Sequence, residues 1–302
     1  MRFQLTEDQR ALRAGVRELL TRRFGPERLR AAVEAPGRLQ KGLWRELGEA
    51  GFFALRLPES EGGVGLGLPE AVLAFEEAGR ALLPGPLVAT HLAAAEVPGA
   101  ASGETVVTYV GGCGLVEWLS AADVVRGDDA GAVPLRSVDP LTPLHRVPGT
   151  PPADRAPEAP GADPAAAVLL TAAEQLGSAT RACELAAQHA RTREQFGRPI
   201  GAFQAVKHLC AEMLVRTETA RAAVYAAAVT ADPADIDTAR LLADDAAVRG
   251  ARDCLQVHGG MGFTWEFEVH LHLKRAWVRT HRTSDATESE ERLAAELLAG
   301  SA

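Results

Sequence analysis

The sequence predicts a mainly α-helical protein with an N-terminal helical domain, a truncated middle β segment and a C-terminal four-helix bundle. Three observations predict it. Apolar residues recur at helical spacing through roughly the first hundred residues. From Glu104 a β-branched run, Thr-Val-Val-Thr-Tyr-Val at 105–110, interrupts that pattern. From about Ala165 long helical runs with short connections continue to the end, which is the pattern of an antiparallel bundle.

Each element follows in order. Thr6 and Gln9 form a capping-box pair, and Leu12, Val16, Leu19 and Leu20 continue at helical spacing until Gly25-Pro26 stops the run. A short helix carries Leu43, Trp44 and Leu47 and ends near Gly51. The loop 58–65 has glycines but no Gly-Lys-Ser/Thr ending, so it is not a phosphate-binding P-loop. Pro69 starts a helix with Val72, Phe75, Glu76 and Leu83 that ends at Pro84, and another runs from about Val88 to Ala95. Strands are expected at 105–110, 124–125 and 132–135. The stretch 148–160 has the Pro-rich composition of a linker. Helices follow over 165–196, 203–230, 233–258 and 265–280, and a short terminal one carries Leu293, Leu297 and Leu298. The organisation is therefore 1–102 helical, 103–163 reduced β segment and linker, and 164–302 helical bundle.

Composition narrows the function. The net charge of −8 carries no nucleic-acid footprint and no attraction to an anionic membrane. No apolar run is long enough to insert into a bilayer, and no signal peptide opens the chain. The four cysteines show neither zinc nor disulfide spacing, so a reducing cytoplasm is expected. His270 and His272 are two apart, not a ligand spacing on a helix, and are read as surface or packing residues. The four tryptophans are read as core or interface residues.

Two stretches carry chemistry. In Arg193-Glu194-Gln195-Phe196-Gly197-Arg198-Pro199-Ile200-Gly201-Ala202-Phe203-Gln204, Arg193 and Phe196 are read as one helix face, with Gly197 in the left-handed capping position and Pro199 blocking continuation. In Gln256-Val257-His258-Gly259-Gly260-Met261-Gly262-Phe263, glycines permit close backbone approach to a ligand. Arginine, an aromatic ring, glutamine and bare backbone together suit a ligand with phosphates and a flat ring. His258 either touches that ligand or is an ordinary helix-end histidine.

The two stretches, R-x-Q-F-G-x-x-I-x-x-F-Q and then Q-x-x-G-G-x-G-F in a helical C-terminal half, resemble the acyl-CoA dehydrogenase family. The N-terminal Trp-x-Glu-Leu-Gly-Glu-x-Gly and Pro-Glu-x-x-Gly-Gly-x-Gly stretches resemble it too. The resemblance implies FAD as cofactor, an acyl-CoA substrate, and an external electron acceptor such as an electron-transfer flavoprotein. It implies FAD contacts from Arg193, Phe196, Gln204, Gln256, Gly259 and Gly260, offered across a subunit boundary.

The chain departs from the family in its middle segment and in its base. Only about sixty residues separate the helical regions, room for a few short strands, and no Gly-Ser-Asp element is found there. The usual base position after the fourth bundle helix holds Thr283, with Asp285 two residues on; the alternative on the first bundle helix holds Ala167. Glu174 lies about two turns further along, too far for an easy substitution. No catalytic residue is therefore assigned. This pattern resembles the base-lacking subunit of heteromeric α2β2 actinobacterial enzymes of steroid side-chain degradation, whose partner is a second acyl-CoA dehydrogenase-like subunit. Two alternatives stay open: a self-sufficient homomer with an unusual base such as Asp285, and a non-enzymatic scaffold or acyl-CoA-binding module.

Overall fold

A computed structural model describes residues 4–111, 114–148, 163–282 and 286–299. Helix α1 (Glu7–Arg23) opens with the expected capping box: Thr6 Oγ1 accepts from the Gln9 amide, and Gln9 Oε1 accepts from the Thr6 amide. Gly25-Pro26 ends that run and also starts another helix, α2 (Pro26–Glu34), because proline at the first helical position lacks only an N–H that would be unpaired anyway. Helix α3 (Lys41–Glu49) buries Leu43, Trp44 and Leu47. Helix α4 (Leu68–Arg80) is buried from Ala71 to Gly79, and α5 (Leu87–Leu92) is buried over most of its length.

The middle segment forms β1 (Val107–Tyr109), β2 (Leu115–Glu117), β3 (Val124–Arg126), β4 (Val133–Leu135) and β5 (Leu144–Arg146). β1 pairs with β3 in parallel, while β5 lies between β2 and β4 in an antiparallel sheet. The three expected strands are present; β2 and β5 were not anticipated. Each of these has only three residues, too few for an alternation to be read, and tertiary pairing decides them. Apart from Pro148, the Pro-rich linker stretch lies outside the described residues.

The C-terminal region holds α6 (Pro164–Thr192), a hairpin of β6 (Glu194–Gln195) and β7 (Arg198–Pro199), then α7 (Gln204–Thr230), α8 (Pro233–His258), α9 (Val269–Arg279) and α10 (Ala286–Ala299). Asp163 caps α6 by accepting from the Ala166 amide, and Asp232 caps α8 by accepting from Ala234 and Asp235. Helices α4 and α6 cross at glycines. A Cβ on Gly177 would sit 1.8 Å from the Glu76 carbonyl, and one on Gly79 would sit 2.0 Å from the Glu174 carbonyl. That approach buries α4 against the bundle, where its carboxylates must find donors. Glu77 takes a two-pronged pair from Arg17, and Glu76 accepts from Arg221 and Tyr225.

Candidate functional site

The first motif is not a helix face. Helix α6 stops at Thr192, and Arg193 is already extended. Phe196 and Gly197 have φ of 55° and 75°, the two left-handed central residues of a tight hairpin turn. Gly197 takes the expected conformation, but in this turn and not at a helix end. The Ile200 amide donates to the Arg193 carbonyl at 2.8 Å, closing the hairpin. A non-glycine residue in this region costs on the order of 1–2 kcal/mol, so Phe196 holds its conformation against a local penalty. Its ring is nevertheless 90 % exposed. Phe203 braces it edge-on at 5.9 Å, and the Arg198 guanidinium lies 4.4 Å from the Phe203 centroid. Phe203 is a fixed position of the motif, whereas Arg198 falls on one of its variable positions.

The other predicted contacts reach the same end of the bundle. Gln204 is exposed at the start of α7, and Gln256 is exposed on the last turn of α8. Gly259 ends α8 at φ 61°, ψ −144°, a backbone shape open in practice to glycine alone. A Cβ at Gly259 or Gly260 would meet nothing within 4 Å, so bare backbone faces open space. His189 of α6 and His258 of α8 stack with centroids 4.1 Å apart, joining the helix that leads to Arg193 with the one that leads to Gly259. Burial lowers both imidazoles below the usual histidine range, and for His189 the neighbouring His258 and Arg193 add to the effect. Of the other histidines, His270 and His272 are both buried, which excludes a surface role; Ser178 Oγ lies 2.8 Å from His272 Nδ1. Trp44 and Trp118 are core residues, whereas Trp265 and Trp277 are exposed.

A second polar centre lies between the β segment and the bundle. Glu174 is 3 % exposed, with Arg279 Nε at 3.1 Å and Arg282 Nη1 at 2.9 Å. Arg279 Nη1 also donates to both oxygens of Glu117 at 2.8 and 2.9 Å. Burial alone would raise the Glu117 carboxyl; Arg279 and Arg282 outweigh it and hold it below the usual carboxylate range. Ala167 is 3 % exposed within the apolar core. Thr283 and Asp285 lie outside the described residues. A cleft of about 410 Å³ over this cluster is lined by Tyr109, Glu117, Leu144, Trp277 and Arg282 among others. The sequence reading missed the cluster. The available signal was Arg275, Arg279 and Arg282 recurring at helical spacing on a face that also carries Leu271.

Among the described residues no helix is long and apolar enough to cross a membrane, and no group of three or more side chains could hold a metal ion. Residues 6–105 match the family model "Acyl-CoA dehydrogenase, N-terminal domain", and residues 168–283 match "Acyl-CoA dehydrogenase, C-terminal domain". The chain belongs to the acyl-CoA dehydrogenase family. Acyl-CoA dehydrogenase IpdE2 of Mycobacterium tuberculosis is 36 % identical over 89 % of this chain and 91 % of its own. FadE34 of the same organism is 36 % identical over 75 % of this chain, but only 38 % of its own length is matched. Among solved structures, the ChsE4-ChsE5 complex from Mycobacterium tuberculosis superposes with a TM-score of 0.80 at 26 % identity, covering 99 % of both chains. The steroid ACAD Tcur3481-Tcur3483 gives 0.83 at 24 % identity, over 98 % of this chain and 99 % of that one, a likeness of fold. The acyl-CoA dehydrogenase fold is present here with a shortened middle segment, and the family's cofactor is FAD.

Proposed function

We propose that this chain is a subunit of a heteromeric acyl-CoA dehydrogenase that completes the FAD site of a base-bearing partner and does not itself abstract the substrate proton. The observation that carries this reading is a contrast within one chain. Residues suited to a flavin nucleotide stand exposed and unshielded, while the buried carboxylate nearest to a base position, Glu174, is held by two guanidinium groups. A base must be free to take a proton near neutral pH. Asp139 is likewise committed, to Arg275.

The exposed residues fit FAD as a donor set. The Arg193 guanidinium offers two parallel N–H groups to a diphosphate. Phe196 offers a flat apolar surface to a ring, Gln204 and Gln256 offer amides, and Gly259-Gly260 lets phosphate oxygens approach backbone N–H groups. When bound, FAD supplies the acceptor for a hydride from the β carbon of the acyl chain. This chain orients and retains the cofactor's nucleotide half; a carboxylate of the partner removes the α proton. The product would be the 2,3-enoyl-CoA, and an external acceptor such as an electron-transfer flavoprotein would take up the electrons. The likeness to the ChsE4-ChsE5 complex supports assembly with a second, related chain; the assembly proposed is α2β2, in the cytoplasm. The substrate class proposed for the complex is a steroid side-chain CoA thioester.

Flavin retention by the co-purified complex tests the reading. Losing a charge-assisted phosphate contact costs roughly 1.5–3 kcal/mol, one to two decades in affinity. Arg193→Ala is expected to lose flavin on dialysis, and Arg193→Lys to recover only part, because it keeps the charge without the fork. Expressed alone, the chain is expected to purify colourless or to aggregate. A flavin-loaded homo-oligomer from single expression, or full retention by Arg193→Ala, would overturn it.

A further inference from the structure

Two imidazoles lie behind the exposed residues and connect them. The His189 and His258 rings are 19° from parallel as well as 4.1 Å apart. Arg193 follows His189 by four positions, and His258 directly precedes Gly259. His258 is 7 % exposed, and its Nδ1 lies 2.8 Å from the Cys254 carbonyl oxygen. A carbonyl only accepts, so Nδ1 carries the proton and donates, which fixes the tautomer and the ring plane. The Phe267 ring meets His258 edge-on at 5.9 Å, closing the far side. An apolar side chain would fill such a space with no hydrogen-bond requirement; an oriented, stacked imidazole pair is a more specific arrangement than packing demands.

We propose that the His189–His258 stack is the positioning element of the flavin contact: it sets the separation between the Arg193–Phe196 hairpin and the Gly259-Gly260 turn, and it is lost when both rings are protonated. The proposal rests on the reading of this end as a flavin contact. Neutral rings stack face to face at this distance, whereas two imidazolium rings so close repel through a partly buried medium. Among the described residues, the charged groups acting on the two imidazoles are each other and Arg193, while the carboxylate of Glu268, next to Phe267, acts on the Cys254 thiol beside them. Arg193 stands at the end of α6, and the Cys254 thiol lies 3.6 Å from His258 Nδ1 on α8, with the Cys210 thiol of α7 behind it. From the segment after α8 it is the apolar Phe267 ring that reaches the pair. Protonation of both rings therefore separates the ends of α6 and α8 and moves Arg193 away from the glycine backbone.

The test is flavin retained by the co-purified complex after gel filtration across pH 8 to 5.5. The parent is expected to lose flavin progressively as pH falls below the ordinary histidine range. His258→Phe keeps a stacking ring that cannot take a proton, so its retention should stay flat over the same range. His258→Ala removes the stack and should retain flavin roughly tenfold more weakly even at pH 8. His189→Phe reports on the same pair from the other helix and serves if His258→Phe does not fold. Coincident pH curves for the parent and both phenylalanine variants would overturn the proposal, as would parent-like retention by His258→Ala. If Arg193→Ala loses flavin while the histidine variants behave as the parent, only this inference fails. If Arg193→Ala also retains flavin, the reading beneath it fails.

Discussion

Glu174 on α6 accepts a hydrogen bond from Arg282 Nη1 at 2.9 Å, in a place with almost no access to solvent. The pair joins the first bundle helix to the residues just after α9, and through Arg279 it reaches Glu117 on β2. Two carboxylates and two guanidiniums thus close the space between strands and bundle. Breaking a buried pair strands the other charges, which typically costs about 3–5 kcal/mol. Glu174→Ala is expected to destabilise the complex by about that much in urea titration, and Glu174→Gln by less, since the amide oxygen still accepts. Turnover per bound flavin should remain within a few fold for the glutamine variant. A loss on the order of a hundredfold with stability unchanged would make Glu174 a base.

The crossing of α4 and α6 gives a second expectation. A Cβ at Gly177 meets the Glu76 carbonyl at 1.8 Å and the Arg80 amide at 2.6 Å, both backbone atoms that cannot rotate away. Gly177→Ala must separate two buried helices, and a loss of about 3 kcal/mol or more is expected. Gly15, exposed within α1 and with nothing within 4 Å of an added Cβ, is the control. Gly15→Ala should stabilise by roughly 0.5–1 kcal/mol through helix propensity alone. Thermal melts of the two variants should therefore shift in opposite directions, and a shift in the same direction would contradict the packing described.

Two of the buried histidines, His91 and His272, contribute most directly to an acid limit. Burial, with the Arg56 charge adding, lowers His91 to about 4; burial, with Arg181 and Arg275 adding, lowers His272 to about 3. As pH falls below about 6.5 the unfolded chain takes up these protons before the folded one does. Stability present above that point is lost progressively down to the folded values, at about 1.4 kcal/mol per pH unit for each histidine. Urea midpoints should thus fall between pH 7.5 and 5.5. The double variant His91→Gln, His272→Gln should flatten the slope, and an unchanged slope would assign the effect elsewhere.

Where local chemistry is sufficient, sequence and structure agree. Thr6 and Gln9 cap α1, Asp232-Pro233 opens α8, and α8 closes at His258 before Gly259. These signals act between neighbours in the chain, so they survive any tertiary context. The hairpin after α6 misled for the same kind of reason: glycine and proline signal a helix end as readily as a tight turn. Phe196 in a left-handed conformation is not a residue that propensity assigns to such a turn.

The sequence by itself determined the helical architecture, the family and the identity of the exposed residues, because these rest on periodicity, caps and short motifs. Tertiary structure alone decided what those residues stand on. The His189–His258 stack spans two helices, and the Arg279–Glu117 bond joins positions 162 residues apart. Whether a carboxylate is free or held depends on which charges the fold brings beside it in a poorly solvated interior. That is a property of distance in space, to which spacing along the chain gives no access.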